Sequence, residues 1–275
     1  MKSANLLTCF CCIAICTQSQ NARSPVVAWY TSSGAYSKNF SDVSSINNNI
    51  AALAAVKNFS ASVYGEKRFL LTELGLYSTI LAQTTASGNF SLSANYYGYK
   101  AYNESELSVG YGRKLSDKVD IGIKFNYFSL RIPSYGKASA FNFDAGAIFH
   151  ITEQLHSGIN IYNPLSSKLG RHTAEKLMPV YKAGLGYDFS TSFFSGIEVI
   201  KEQGSTTGIH ASFQYKPITQ LFARAGIVTS NHSWYAGIGY LFKELRVDIT
   251  VSMHQQLGIS PGILLLYGIK KQEKE

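Results

Sequence analysis

The residues most able to do chemistry in this chain are charged side chains that alternate with apolar ones along short segments. In extended backbone, alternate residues share a face, so the charged residues would lie opposite the apolar ones. Six basic and six acidic residues would meet on that face: Glu106, Lys114, Asp120, Lys124, Asp144, Lys182, Asp188, Glu198, Lys216, Arg224, Arg246 and Asp248. Balanced signs favour ion pairs across an interior over a selectivity filter of one sign.

If the strands close into a barrel, this face lines its lumen, and eight of these residues form our candidate polar network there. They are Glu106, Lys124, Asp144, Lys182, Glu198, Arg224, Arg246 and Asp248. One interpretation is a structural polar core that braces a narrow barrel, and the other is a lined passage or ligand pocket. Ten glycines share the face and leave room for either an N-terminal helix or a ligand. They are Gly110, Gly112, Gly122, Gly146, Gly184, Gly186, Gly196, Gly226, Gly237 and Gly239.

Sequence signals for catalysis are weak. The six histidines show no metal-ligand spacing, and the sequence has no His-Glu-x-x-His motif. Ser252 and His254 would share a strand face as nucleophile and base, but no orienting acid is evident. We therefore predict a non-enzyme with no catalytic, cofactor-binding or metal-binding residues, and keep a lipid hydrolase only as a less favoured alternative.

The composition fits a β-barrel better than a helical membrane protein or a nucleic-acid-binding protein. The chain has 275 residues, 45% of them hydrophobic, and a formal net charge of +8. A barrel needs no higher apolar content, because half of each strand faces water. The basic residues are scattered rather than clustered, so we expect no nucleic-acid partner.

Residues 1–22 are predicted to be a secretory signal peptide. Lys2 precedes a short apolar run that ends at Cys16, and a polar stretch follows. The run is too short to span a bilayer, and cleavage is expected within residues 19–22. All four cysteines lie in this segment, so the mature chain would contain no disulfide and no thiolate metal site.

Residues 23–57 are predicted to be a plug segment that contains the one convincing helix. The candidate plug residues are Val43, Ile46, Ile50 and Leu53. Their spacings of three and four place them on one face of a short helix. Ser41 or Asp42 would be its N-cap.

Residues 58–270 are predicted to form an all-β fold, a transmembrane antiparallel β-barrel of about fourteen strands. The segment Lys118–Tyr127 shows the strict apolar–polar alternation that recurs throughout this region. Short and long connections alternate, as in a barrel with turns on one side and loops on the other. The last strand is expected at 262–270, and residues 271–275 would be a polar tail.

Several segments, in their order along the chain, together resemble a known family. They are Gly34-Ala35, Asn47–Ala54, Tyr64–Leu74, Tyr111–Ser116, Asn163-Pro164, Leu221–Gly226 and His254–Pro261. The chain resembles PorV/PorQ-type outer-membrane proteins of Bacteroidota, which are similar to the FadL long-chain fatty-acid transporters. The resemblance implies a fourteen-stranded barrel in the cell outer membrane, with the N-terminal segment folded into its lumen.

The resemblance also implies what the barrel does. FadL-like relatives pass hydrophobic molecules, and PorV-like relatives serve type IX secretion. We therefore expect passage or binding of a small hydrophobic molecule. The alternative is a type IX secretion-associated partner barrel without transport activity of its own. The expected partners are outer-membrane lipid, a small hydrophobic ligand and secretion-system proteins.

Overall fold

The alternating segments form fourteen antiparallel strands that close on themselves. The computed structural model describes residues 29–133, 136–170 and 175–268. Each strand pairs with its sequence neighbours, and β1 pairs with β14 to complete the barrel. The strands are β1 (Ser60–Lys67), β2 (Gly75–Thr85), β3 (Gly88–Tyr99), β4 (Tyr102–Ser116), β5 (Val119–Ile132), β6 (Gly136–His150), β7 (Leu155–Tyr162), β8 (Val180–Ser190), β9 (Phe193–Glu202), β10 (Gly208–Ile218), β11 (Leu221–Val228), β12 (Ser233–Phe242), β13 (Leu245–His254) and β14 (Gly258–Tyr267). The predicted fold class is confirmed.

The two ends of the barrel differ in their connections. One end, called here the short-turn end, has the connections 86–87, 117–118, 151–154, 191–192, 219–220 and 243–244. The opposite end, called the long-loop end, includes the loops 68–74 and 163–179. One connection at the long-loop end is itself short: β3 and β4 stay paired up to Tyr99 and Tyr102, which leaves only residues 100–101 between them.

The outer surface of the barrel is apolar. Phe141 is 77% exposed and Ile249 is 70% exposed, and both lie on the face that the alternation places outward. Exposed side chains on that face also include Leu107, Val109, Tyr181, Leu185, Ile209, Phe213, Trp234 and Ile238. A continuous apolar band around a closed barrel is stable against lipid rather than water. The chain is therefore a transmembrane β-barrel.

The predicted plug helix is two shorter helices. The described N-terminal residues form an α-helix, Trp29–Ser32, and 3₁₀ helices at Val43–Asn47 and Ile50–Ala55. Asp42, rather than Ser41, caps the first 3₁₀ helix. Asn49 caps the second by accepting a hydrogen bond from the backbone of Ala51, so the helix restarts there. None of the helices that the structure describes is long and apolar enough to span a bilayer.

The last strand begins earlier than expected. It starts at Gly258 and ends at Tyr267, and Pro261 lies within it, opposite Val251 in the β13–β14 pair. The predicted signal peptide, residues 23–28 of the plug segment, residues 269–270 and the predicted polar tail lie outside the described residues.

Candidate functional site: a plugged lumen

The bore of the barrel is occupied by residues 29–57, called here the plug. The four candidate plug residues, Val43, Ile46, Ile50 and Leu53, are all buried. They belong to one apolar cluster that also contains Leu76 and Leu264 of the barrel wall. The four apolar positions read from the sequence therefore pack against the inner wall, although they belong to two helices rather than one.

The glycine-rich inner face makes room for the plug. A Cβ atom at Gly122 would lie 2.6 Å from the carbonyl oxygen of Ile50, and one at Gly184 would lie 2.3 Å from the Tyr36 ring. Gly110, Gly112, Gly146, Gly186 and Gly237 also face plug atoms at short distances. Gly196, Gly226 and Gly239 instead face side chains of the wall. Of the two occupants left open by the sequence, the N-terminal segment is the one found there.

Replacing Gly122 with alanine is expected to loosen the plug. The new methyl group would meet backbone atoms of Ile50 and Ala51, which cannot rotate away. Overpacking of this kind costs about 1–3 kcal/mol. The temperature at which the folded barrel is lost on a heat-modifiability gel should fall. Gly65→Ala is the matched control, since its Cβ would lie 3.6 Å from the nearest atom. Equal temperatures for both variants would contradict this role for Gly122.

The first group of charges clamps the plug at Asp42. The Oδ2 atom of Asp42 accepts hydrogen bonds from Arg224 Nη2 and Arg246 Nη2, each at 3.0 Å. Arg246 Nε also donates to Asp248 Oδ1 at 2.8 Å. The Tyr30 hydroxyl, from the plug, donates to Asp248 Oδ2 at 2.9 Å. Three of the predicted network residues therefore act on the plug rather than only on one another.

A second group joins the plug to β8 and β9. The Nζ atom of Lys182 donates to Asn48 Oδ1 at 3.0 Å, and Asn48 Nδ2 donates to Glu198 Oε1 at 2.9 Å. The Tyr36 hydroxyl donates to the same Glu198 oxygen at 2.7 Å. Lys182 and Glu198, both predicted, are thus bridged by a plug side chain.

The third group lies within the wall. Lys124 Nζ is 2.9 Å from Asp144 Oδ2, and both side chains are buried. Asn126 donates to Asp144 Oδ1 at 2.9 Å, and the Tyr162 hydroxyl donates to Glu106 Oε2 at 3.2 Å. The eight predicted residues therefore divide into three groups, two of which hold the plug.

Sequence reasoning missed the plug's own polar partners. Asp42 was predicted only as a possible N-cap, and no role was predicted for Tyr30, Tyr36 or Asn48. The signal available in the sequence was that these residues carry polar groups in a segment that was predicted to be buried in the lumen. Among the other residues assigned to the polar face, Lys114 is exposed near the short-turn end of β4 rather than enclosed.

The plug is also tied to a turn at the short-turn end. Lys38 Nζ donates to Glu153 Oε2 at 2.8 Å, in the connection between β6 and β7. This hydrogen bond, together with the charge of Lys38, lowers the pKa of the exposed Glu153 carboxyl. Such an exposed pair contributes little stability.

The Ser252–His254 pair gains no support as a hydrolytic site. His254 Nδ1 accepts hydrogen bonds from the backbone amides of Gln256 and Leu257, at 3.1 and 3.2 Å. A neutral ring that accepts at Nδ1 carries its proton on Nε2, so neither nitrogen is free to take a proton from Ser252. In the part of the chain that the structure describes, no group of three His, Asp or Glu side chains is placed to hold a metal ion.

Cavities lie at both ends of the plug. The larger, about 350 Å³, is at the short-turn end, and its lining includes Phe40, Lys216 and Phe222. The Lys216 ammonium lies 4.9 Å and 5.4 Å from the centres of those two rings. A smaller cavity, about 100 Å³, lies at the long-loop end and is lined by several aromatic residues. These are Trp29, Tyr30, Tyr64, Phe69, Trp234 and Tyr235.

The barrel is similar to solved structures of a hydrocarbon channel, a toluene transporter and a FadL homologue. The "CymD monoaromatic hydrocarbon channel" matches with a TM-score of 0.60 at 10% identity, covering 84% of this chain and 94% of CymD. The Pseudomonas putida toluene transporter TodX gives a TM-score of 0.57 at 10% identity, with 90% and 98% covered. A Pseudomonas aeruginosa FadL homologue gives 0.54 at 14% identity, with 90% and 97% covered.

Comparison by sequence, in contrast, finds no match. No protein-family model matches the chain, and no curated protein sequence matches it. At 10–14% identity the structural likeness concerns the fold alone. The chain therefore shares the barrel fold of the FadL- and TodX-type structures.

Proposed function

We propose that this chain is an outer-membrane barrel that passes small hydrophobic molecules through its lumen. The observation that carries the proposal is the plug: the bore is filled by a separate segment, held by side-chain contacts, rather than narrowed by the wall itself. An apolar exterior with a polar inner face is typical of outer-membrane barrels. The names of the similar structures, a hydrocarbon channel and a toluene transporter, support the class of cargo.

The cavities suggest how such a molecule would travel. The aromatic lining at the long-loop end suits one small apolar molecule. The buried core of the plug lies between this cavity and the larger one at the short-turn end. Passage through the lumen therefore requires the plug to shift.

A disulfide between the plug and the wall would test this requirement. A Cβ atom at Gly112 would lie 2.8 Å from the Cβ of Leu53. Disulfides span a Cβ–Cβ distance of about 3.8 Å, so a small adjustment allows the bond. We expect cells that express the Leu53→Cys, Gly112→Cys variant to lose uptake of radiolabelled toluene when oxidised and to regain it after reduction.

Two controls make the experiment decisive. Each single-cysteine variant should respond to neither treatment, and wild-type cells should exceed cells without the barrel several-fold in initial uptake. Uptake that is unchanged by the disulfide would exclude a lumenal route. Uptake no higher than in cells without the barrel, with the barrel folded in the outer membrane, would exclude the transport function.

The competing candidate is a partner barrel for type IX secretion, of the PorV/PorQ type. The tightly packed plug is the observation in its favour, because a partner needs no open bore. This function predicts co-purification with a large translocon and full activity in the disulfide-locked variant.

A further inference from the structure

Two histidines meet at the short-turn end, beside the plug. His150 Nδ1 and His156 Nδ1 lie 3.0 Å apart. His150 Nε2 lies 3.0 Å from Asp120 Oδ2, and His156 Nε2 lies 3.4 Å from Asp188 Oδ2. The four side chains form a line across β5, β6, β7 and β8, with a carboxylate at each end.

This line ends on the plug. Asp188 Oδ1 accepts a hydrogen bond from the Ser37 hydroxyl at 2.5 Å, and Asp188 Oδ2 accepts one from the backbone N–H of Lys38 at 2.9 Å. The Ser37 hydroxyl oxygen in turn accepts hydrogen bonds from the backbone N–H groups of Asn39 and Phe40. The position of one carboxylate therefore orders four consecutive plug residues.

The number of protons on the two rings decides which of these contacts have an N–H group between them. A hydrogen bond between the two Nδ1 atoms needs one proton. If both rings are neutral, each has a single N–H, and the bond between them leaves one Nε2 lone pair facing a carboxylate. The contact between the buried His156 Nε2 and Asp188 Oδ2, at 3.4 Å, is within ion-pair distance but lacks the alignment of a hydrogen bond. If both rings are charged, two N–H groups face each other at 3.0 Å and repel.

One added proton provides an N–H group for each of the three contacts, of which the one between His156 and Asp188 is an ion pair. The imidazolium then has an N–H group facing the other ring and another facing one carboxylate, while the neutral ring has its N–H group facing the other carboxylate. We propose that the His150–His156 pair is a one-proton latch, closed on the plug when the pair carries a single positive charge. Both loss of that proton and gain of a second one weaken the hold of Asp188 on Ser37 and Lys38.

Other charged groups surround the latch on every element packed against it. They are Lys38 on the plug, Lys114 opposite Asp120 on β4, Glu153 in the connection between β6 and β7, and Lys216 on β10. The latch does not depend on the proposed transport function, because it concerns only how the plug is held.

Amide hydrogen exchange of plug residues 37–40 measures the latch directly. In lipid nanodiscs, protection relative to the intrinsic exchange rate should peak at an intermediate pH and fall about tenfold on each side, as expected for loss of a charge-assisted hydrogen bond. The range to scan is about pH 5 to 8. In the His150→Gln, His156→Gln variant the peak should disappear. His232→Gln, in a long-loop connection, should leave it unchanged.

A second measurement needs no variant of the latch. Nitrogen-15 spectra of the histidine rings should show three protonated nitrogens among the four of the pair at the pH of greatest protection. Two protonated nitrogens at that pH would overturn the proposal, as would a protection profile that changes in one direction only or is shared by the double variant.

Discussion

Replacing Asp42 with asparagine is expected to free the plug from β11 and β13. The guanidinium groups of Arg224 and Arg246 both bind the Oδ2 atom of Asp42, and all three side chains are almost fully enclosed. Removing one partner from a buried ion network costs about 3–5 kcal/mol, because the remaining charges lose their compensation. Asparagine still caps a helix well, so the variant isolates the charge from the capping role of Asp42.

Single-channel recordings in planar bilayers would detect the released plug. Asp42→Asn should show conducting events at a frequency far above wild type, together with a lower temperature for loss of the folded barrel on a gel. Asp117→Asn, an exposed acid in the connection 117–118, is the matched control and should behave as wild type. If Asp42→Asn remained as closed and as heat-resistant as that control, the clamp would not hold the plug.

Placing arginine at Ile249 is expected to prevent stable insertion of the barrel. Ile249 lies midway along β13 and is among the most exposed apolar side chains. A charged residue on the lipid face near the bilayer midplane costs about 2–4 kcal/mol. The folded fraction recovered after refolding into lipid vesicles should therefore fall steeply.

The matched control places the same charge outside the membrane. Gln256 lies in the connection between β13 and β14 and is exposed, so Gln256→Arg should refold as wild type does. Equal folded fractions for Ile249→Arg and Gln256→Arg would mean that this face of β13 does not meet lipid.

The strands and their two faces were readable from the sequence because alternation is a local property. Within each apolar–polar segment, such as the one around Lys124 and Phe125, the alternation alone assigns every side chain to the outer or the inner face. This assignment does not depend on the other segments of the chain. The candidate plug residues were readable for the same reason, since the spacing from Val43 to Leu53 defines one helix face. The break at Asn49 was missed, because the residue type alone does not separate an Asn within a helix from one that caps a new helix with extended backbone.

The sequence by itself determined a membrane barrel with a charged, glycine-rich interior and an apolar segment ahead of it. Only the tertiary structure decided what those charges do. Asp42 meets Arg224 across 182 positions of the chain, and His150 meets His156 because β6 and β7 pair in one particular register. Partners inside a closed barrel are set by strand register and by the path of the plug, and neither is encoded in any single segment.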